Sequence, residues 1–223
     1  MVLKIGHRGA AGHAPENTLQ SFDKAVLLGC DITELDVHLC SSNEVVVIHD
    51  ETVDRTTNGT GFVSNLSLKN IKELDAGKGE KIPKLEEVFN FLKDSIILNI
   101  ELKGLGTEKP VYDLIGSCGW KKEEIIITSF NWDMLRKYRQ IDKDALIGPL
   151  TFRDHVNAFN LAVELDAYCI NPYYPLLNRK YVKEVQNQGI KVFPWTVNKK
   201  QHIENLIDLG VDGIISDYPD LIK

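Results

Sequence analysis

ITELDVHLCSSNEVVVIHD, residues 32–50, decides the architecture. It holds two apolar runs, Ile32 to Val37 and Val45 to Ile48, separated by only about seven residues, His38 to Glu44. A parallel crossover needs a dozen or more residues, so the second run must return antiparallel, turning near Ser42-Asn43. Such a hairpin carries His49 and Asp50 back to the C-terminal end of the first strand. The rest of the chain supplies the sheet around it. Apolar runs recur at Val2 to Ile5, Ile96 to Ile100, Glu124 to Thr128, Ala145 to Ile147, Ala167 to Ile170, Lys191 to Trp195 and Asp212 to Ile215. With Ile32 to Val37 these make eight strands, and amphipathic stretches lie between them. Leu19, Phe22 and Val26 share one helical face, as do Ile203, Leu206 and Leu209, the second helix closed by Gly210. Strands alternating with helices at this length predict an α/β protein of TIM-type (β/α)8 architecture, with a doubly wound sheet as the alternative.

The chain reads as one domain, residues 1–223, with residues 38–81 forming the hairpin and a small excursion over the C-terminal mouth of the barrel. Leu68 to Leu74 should be a short helix in that excursion. After Ile215 there is room only for a helical stub such as Pro219 to Ile222.

Charge narrows the function. With 26 Lys+Arg against 32 Asp+Glu the net charge is −6, and no basic excess exists to displace counterions from a nucleic acid. No stretch reaches the roughly 18 apolar residues of a membrane span, so integral membrane association is not expected. Cys30, Cys40, Cys118 and Cys169 form no CxxC pair and resemble neither a zinc site nor a disulfide framework. MVLKIGHRG lacks the apolar segment of a secretory signal, which leads to the expectation of a cytoplasmic protein.

In such a barrel, polar residues at the C-terminal ends of strands are candidates for chemistry. Strand one ends in His7-Arg8. Glu34 and Asp36, and likewise Glu101 and Lys103, are spaced i, i+2 and share one strand face, alternating with aliphatic residues that would face the helices. Three inward carboxylates about 5 Å apart repel by roughly 3 kcal/mol per pair at an effective dielectric near 20, so a cation is required. Arg8 and Lys103 alone could form a buried ion network with them, but two cations against three acids suit a metal and an anionic ligand better. Oxygen ligands without thiolates favour one Ca2+ or Mg2+ ion. Arg8, Lys103 and a divalent ion together form a phosphoryl site, and His7 and His49 flank it as an acid and base for a phosphodiester. His13, His38, His155 and His202 lack such company and read as loop or surface residues, although His13 and His38 could touch a ligand.

These residues lie in recognisable surroundings. HRGAAGHAPENTLQSF from His7, ELDVHLCSSNEVVVIHDETVDRTTNGTG from Glu34, NIELKG from Asn99, PWTVN from Pro194 and GVDGIISDYPD from Gly210 together resemble the glycerophosphodiester phosphodiesterase family. The resemblance covers nearly the whole chain. It implies a TIM-type barrel that hydrolyses a small-molecule glycerophosphodiester to glycerol 3-phosphate and an alcohol with a calcium or magnesium ion. Carried over residue by residue, it makes His7 and His49 the acid–base pair and Glu34, Asp36 and Glu101 the metal ligands, and it puts Arg8 and Lys103 on the phosphate. Phe130 and Trp195 would wall the glycerol or alcohol pocket, Glu16 and Asn17 would brace the His7 loop, and Asp50 would orient a neighbour or cap its turn. The rival activities are a lysophospholipase D-like phosphodiesterase with the same residues and a barrel that binds a phosphodiester without cleaving it.

Overall fold

A computed structural model describes residues 2–223. The elements run β1 (Leu3–Gly6), α1 (Leu19–Leu27), β2 (Ile32–Leu39), β3 (Val45–Val47), α2 (Leu68–Glu73), α3 (Leu85–Leu92), β4 (Ile97–Leu102), α4 (Glu108–Ser117), β5 (Ile125–Ser129), α5 (Trp132–Ile141), β6 (Leu146–Thr151), α6 (His155–Glu164), β7 (Cys169–Pro172), α7 (Arg179–Gln186), β8 (Lys191–Val192), α8 (Lys200–Leu209) and β9 (Gly213–Ser216). All eight anticipated strands are present, and they pair in parallel in the order β8-β7-β6-β5-β4-β2-β1-β9. Three backbone bonds between the ends of that path close the ring: Asp212 N–H to Val192 O at 3.1 Å, Ile215 N–H to Pro194 O at 3.0 Å and Val197 N–H to Ile215 O at 2.9 Å. The run Lys191 to Trp195 is regular strand only to Val192, because Pro194 has no N–H for a ladder; a single bridge, Tyr173 to Trp195, continues the pairing.

Side-chain alternation sorts the core into layers. Leu35 and Val37 of β2 and Leu98, Ile100 and Leu102 of β4 pack outward against the helices. Ile5, Ile32, Ile126, Cys169, Phe193 and Ile215 form an apolar plug inside the ring. Glu34 and Asp36 therefore point inward, above that plug, on the β2 face that Ile32 shares.

β3 pairs antiparallel with β2, Val37 opposite Val47 and Leu39 opposite Val45. The excursion behind it has a small core of its own, in which Val46, Ile48, Val53, Val63, Ile71 and Ile82 are buried together. Packing Val46 and Ile48 there fixes the end of the hairpin, and with it His49. The residue after β9 that the sequence marks for a stub, Pro219, opens a 3-10 turn, Pro219–Leu221. Among the described residues no helix is long and apolar enough to cross a membrane, and all four cysteines are free.

Candidate active site

β1 ends at Gly6, and the chain turns sharply through His7-Arg8-Gly9. Arg8 has φ +50° and Gly9 φ +85°, left-handed conformations that an arginine adopts at a cost and a glycine freely. A Cβ at Gly9 would lie 2.3 Å from the Ser21 hydroxyl oxygen, so the turn sits directly on α1. The strained turn points the Arg8 backbone N–H at Glu34 Oε2, 2.8 Å away. His7 Nε2 lies 4.0 Å from the same oxygen.

Glu34, Asp36 and Glu101 are buried, and one oxygen from each lies within 4.8 Å of the other two. The register explains it: Asp36 is directly opposite Glu101 in the β2–β4 ladder. Burial pushes Glu34 well above the usual carboxylate range, with Asp36 and Glu101 adding to the rise. Burial and Asp36 likewise push Glu101 up to about 8, against the opposing pull of Lys103. Burial also raises Asp36, but Arg8, His49 and Lys103 outweigh it and hold this carboxyl below its ordinary value. One Asp36 oxygen accepts a 2.8 Å bond from the Asn17 amide. The other, Oδ1, is buried and has no hydrogen-bond partner. Three hard oxygen donors, one orphaned and two pushed toward the protonated state chiefly by burial, could hold a divalent cation.

The cations converge on the same place. Arg8 Nε is 3.4 Å from Asp36 Oδ2 and, lacking hydrogen-bond geometry to it, is a buried donor without an acceptor. Lys103 Nζ donates to Glu101 Oε1 at 3.2 Å.

Each histidine is held by a carboxylate through Nδ1. His7 Nδ1 pairs with Asp217 Oδ1 at 2.6 Å, and His49 Nδ1 pairs with Asp50 Oδ1 at 2.5 Å. The carboxylates fix the Nδ1–H tautomer and leave Nε2 available at both rings. Burial holds the His49 pKa below that of an ordinary histidine, despite the opposing effect of Asp36. Glu16 and Asp50 are joined by Arg55, which donates to Glu16 at 2.8 Å and to Asp50 at 2.6 Å. Glu16 also accepts from Arg8 at 2.7 Å. An alternating chain of charge, Arg8–Glu16–Arg55–Asp50–His49, thus ties one side of the site to the other.

His7, Arg8, Glu34, His49, Glu101, Phe130 and Trp195 line one cavity of about 80 Å³. Phe130 and Trp195 meet edge to face, centroids 5.3 Å apart, and the Trp195 indole N–H is anchored on Asn171 O at 2.8 Å. A cavity of about 240 Å³ between α4 and α5, lined by Tyr112, Trp120 and Tyr138, sits at the N-terminal end of β5, away from the carboxylates.

The structure brings every candidate residue to this end of the barrel. One reading is corrected: His38 is neither loop nor surface but a buried residue of β2, and its Nε2 lies 3.1 Å from the His49 carbonyl oxygen. It follows Glu34 and Asp36 at the same two-residue spacing, a signal the sequence did contain. Asp217 and Arg55 join the site although their spacing does not mark them as site residues. Asp217 meets His7 from 210 positions away, and Arg55 ties the nearby Asp50 to Glu16, 39 positions back, links that no local pattern marks. Glu16 and Asn17 do brace the turn after β1, since the Asn17 backbone N–H also donates to Arg8 O at 3.1 Å.

Known proteins resemble this chain over nearly its whole length. The chain is 41% identical, over 99% of its own length and 96% of the relative's, to a glycerophosphodiester phosphodiesterase of Caldanaerobacter subterraneus subsp. tengcongensis. It is 32% identical to the glycerophosphodiester phosphodiesterase of Bacillus subtilis, covering 99% of this chain and 85% of that one. An Oleispira antarctica phosphodiesterase, solved in complex with the product sn-glycerol-3-phosphate, superposes with a TM-score of 0.92 at 28% identity, over 98% of this chain and 94% of that one. The profile of the glycerophosphoryl diester phosphodiesterase family matches residues 7–221, and the chain belongs to that family.

Proposed function

We propose that the chain hydrolyses glycerophosphodiesters to glycerol 3-phosphate and an alcohol, using a divalent metal ion and two histidines as acid and base, on water-soluble substrates in the cytoplasm. The observation that carries this reading is that two imidazoles from separate segments, each anchored on a carboxylate at Nδ1, line the one cavity that also holds Arg8, Glu34 and Glu101.

Glu34, Asp36 and Glu101 would hold the ion, which when bound supplies Lewis-acid charge at a phosphate oxygen. The unpartnered Arg8 Nε–H and the Lys103 ammonium donate to the remaining phosphate oxygens and offset the charge that builds there. His49, kept neutral at pH 7 by its buried position, takes the proton of the nucleophile at Nε2. His7, steadied by Asp217 at Nδ1, presents Nε2 to the departing alcohol as the proton donor. Trp195 and Phe130 exclude water from one flank of the substrate.

Replacing His7 or His49 by alanine should lower kcat by about 10²- to 10⁴-fold while leaving the thermal melt intact. Near-normal release of glycerol 3-phosphate from glycerophosphocholine by either purified variant overturns the assignment.

A further inference from the structure

Three openings run together along the rim of the barrel. The cavity between the histidines shares Glu101 and Phe130 with a more open one of about 170 Å³, which Glu51 and Lys103 also line. That opening shares His38, Glu51 and Lys103 with a third, about 460 Å³, bounded by Phe62 and Leu105. A groove therefore leads from the carboxylates past Lys103 to solvent beneath the excursion. The two ends differ in shape. The inner cavity is small and walled by the anchored rings of Trp195 and Phe130, which suits the glycerol that every substrate of this class shares. The groove is wide and open, which suits the alcohol that varies.

The charges along the groove have an order. The other carboxylates around the histidines are paired: Glu16 with Arg8 and Arg55, Asp50 with Arg55 and His49, Asp217 with His7 and Asn198. Glu51, next to Asp50 in the chain, is exposed and lines both outer openings. Among the described residues it has no cation within 4.0 Å and its carboxylate accepts no hydrogen bond. Phe62 and Phe130 present exposed aromatic surface to the same groove, 52% and 44% accessible. From the inner cavity outward the protein thus offers Arg8 and then, along the outer openings, Lys103 held on Glu101 together with an uncompensated carboxylate and phenyl rings. A phosphodiester whose alcohol carries an ammonium group offers the complementary order, anion then cation. Carboxylates and aromatic faces are the two protein surfaces that attract an ammonium ion, by Coulomb attraction and by the ring quadrupole.

We propose that this groove binds the leaving alcohol and that Glu51, with Phe62 and Phe130, makes the site selective for alcohols bearing a quaternary or primary ammonium. The proposal rests on the phosphodiesterase reading above. Arg8 lines the inner cavity and attracts the phosphate, and Glu51 lines the outer openings and attracts the cation, so the substrate is aligned with phosphate inward. Neutral polyols gain nothing from Glu51.

The test compares kcat/KM for glycerophosphocholine, glycerophosphoethanolamine and the neutral glycerophosphoglycerol in the wild type, E51Q, E51K and F62A, with divalent metal present. The ratio of ammonium to neutral substrate should fall about fivefold in E51Q, further in E51K, and about twofold in F62A. The loss should sit mainly in KM and shrink at 0.5 M salt. Glu51 is exposed and holds no partner, so the variants keep the wild-type melting temperature. Unchanged ratios in E51Q and E51K, with all three substrates still turned over, refute the ammonium subsite and leave the phosphodiesterase reading standing. No turnover of any substrate by the wild type refutes that reading, and the subsite with it.

Discussion

His7 Nδ1 and Asp217 Oδ1 stand 2.6 Å apart although 210 positions separate them along the chain. The contact exists because β1 and β9 are neighbours in the ring, Gly6 opposite Ser216. Asp217 is itself steadied by the Asn198 amide at 2.5 Å. Burial raises the Asp217 carboxyl, but His7 and Asn198 outweigh it and keep it ionised. D217N would present an amide that can stabilise the wrong imidazole tautomer. We expect kcat to fall by about 10²-fold or more with KM changed only a few-fold, in steady-state assays, and D217E to restore part of the loss. A kcat equal to wild type in D217N would show that His7 is oriented by something else.

Arg55 acts at one further remove. It spans Glu16 and Asp50 with its planar fork, and its hydrogen bonds are the main reason that Asp50 lies far below the usual carboxylate range. R55A should lower kcat about tenfold by loosening the Asp50–His49 pair. R55K should recover little, because a single ammonium cannot bridge two carboxylates in the same way. Full recovery with lysine would indicate a need for positive charge alone.

Glu101 makes the metal-free protein sensitive to pH. Its folded pKa of about 8 exceeds its unfolded value of 4.5, so between those limits the native state binds more protons than the unfolded one. Stability contributed by the protonated form is complete below about pH 4.5 and is lost as pH rises through 8. Urea melts of the metal-free protein should show this decline, and E101Q should flatten it. A decline of equal slope in E101Q assigns it to other groups.

Metal addition should reverse that loss. At a hundredfold excess over Kd, Ca2+ or Mg2+ should stabilise the fold by about 2.7 kcal/mol and raise Tm by about 5–10 °C for a chain of this size. EDTA should abolish both the shift and the turnover. E34Q and D36N should show little shift, and a wild-type response in both would place the ion elsewhere.

Gly9 tests the turn after β1. An alanine there meets Ser21 and must keep φ near +85°. G9A should cost about 1–3 kcal/mol, lowering Tm by several degrees, and should also weaken turnover by shifting His7 and Arg8. An unchanged melt would mean that α1 yields readily.

The barrel was legible in the sequence because each strand is a short apolar run with a helical pattern behind it. The hairpin was legible because the chain between Val37 and Val45 is too short to cross over. The three acids could be read from two-residue spacing, which survives folding unchanged. His38 obeys the same spacing, and a turn near Ser42-Asn43 leaves room for β2 to reach Leu39, so its place on the inward face was legible too, although the apolar run by itself stops at Val37. Arg55 meets Glu16, and Asp217 meets His7, from segments far away in the chain. Such pairs depend on which loops meet in space, and one sequence does not record that.

The seam between β1 and β9 also has a temporal side. Gly213–Ser216 is translated after every other strand of the ring. Until it leaves the ribosome, the growing sheet keeps two raw edges and His7 has no anchor. A nascent polypeptide therefore lacks the His7–Asp217 pair, and its open edges are prone to sticking to others like it, right up to the moment the ring is sealed.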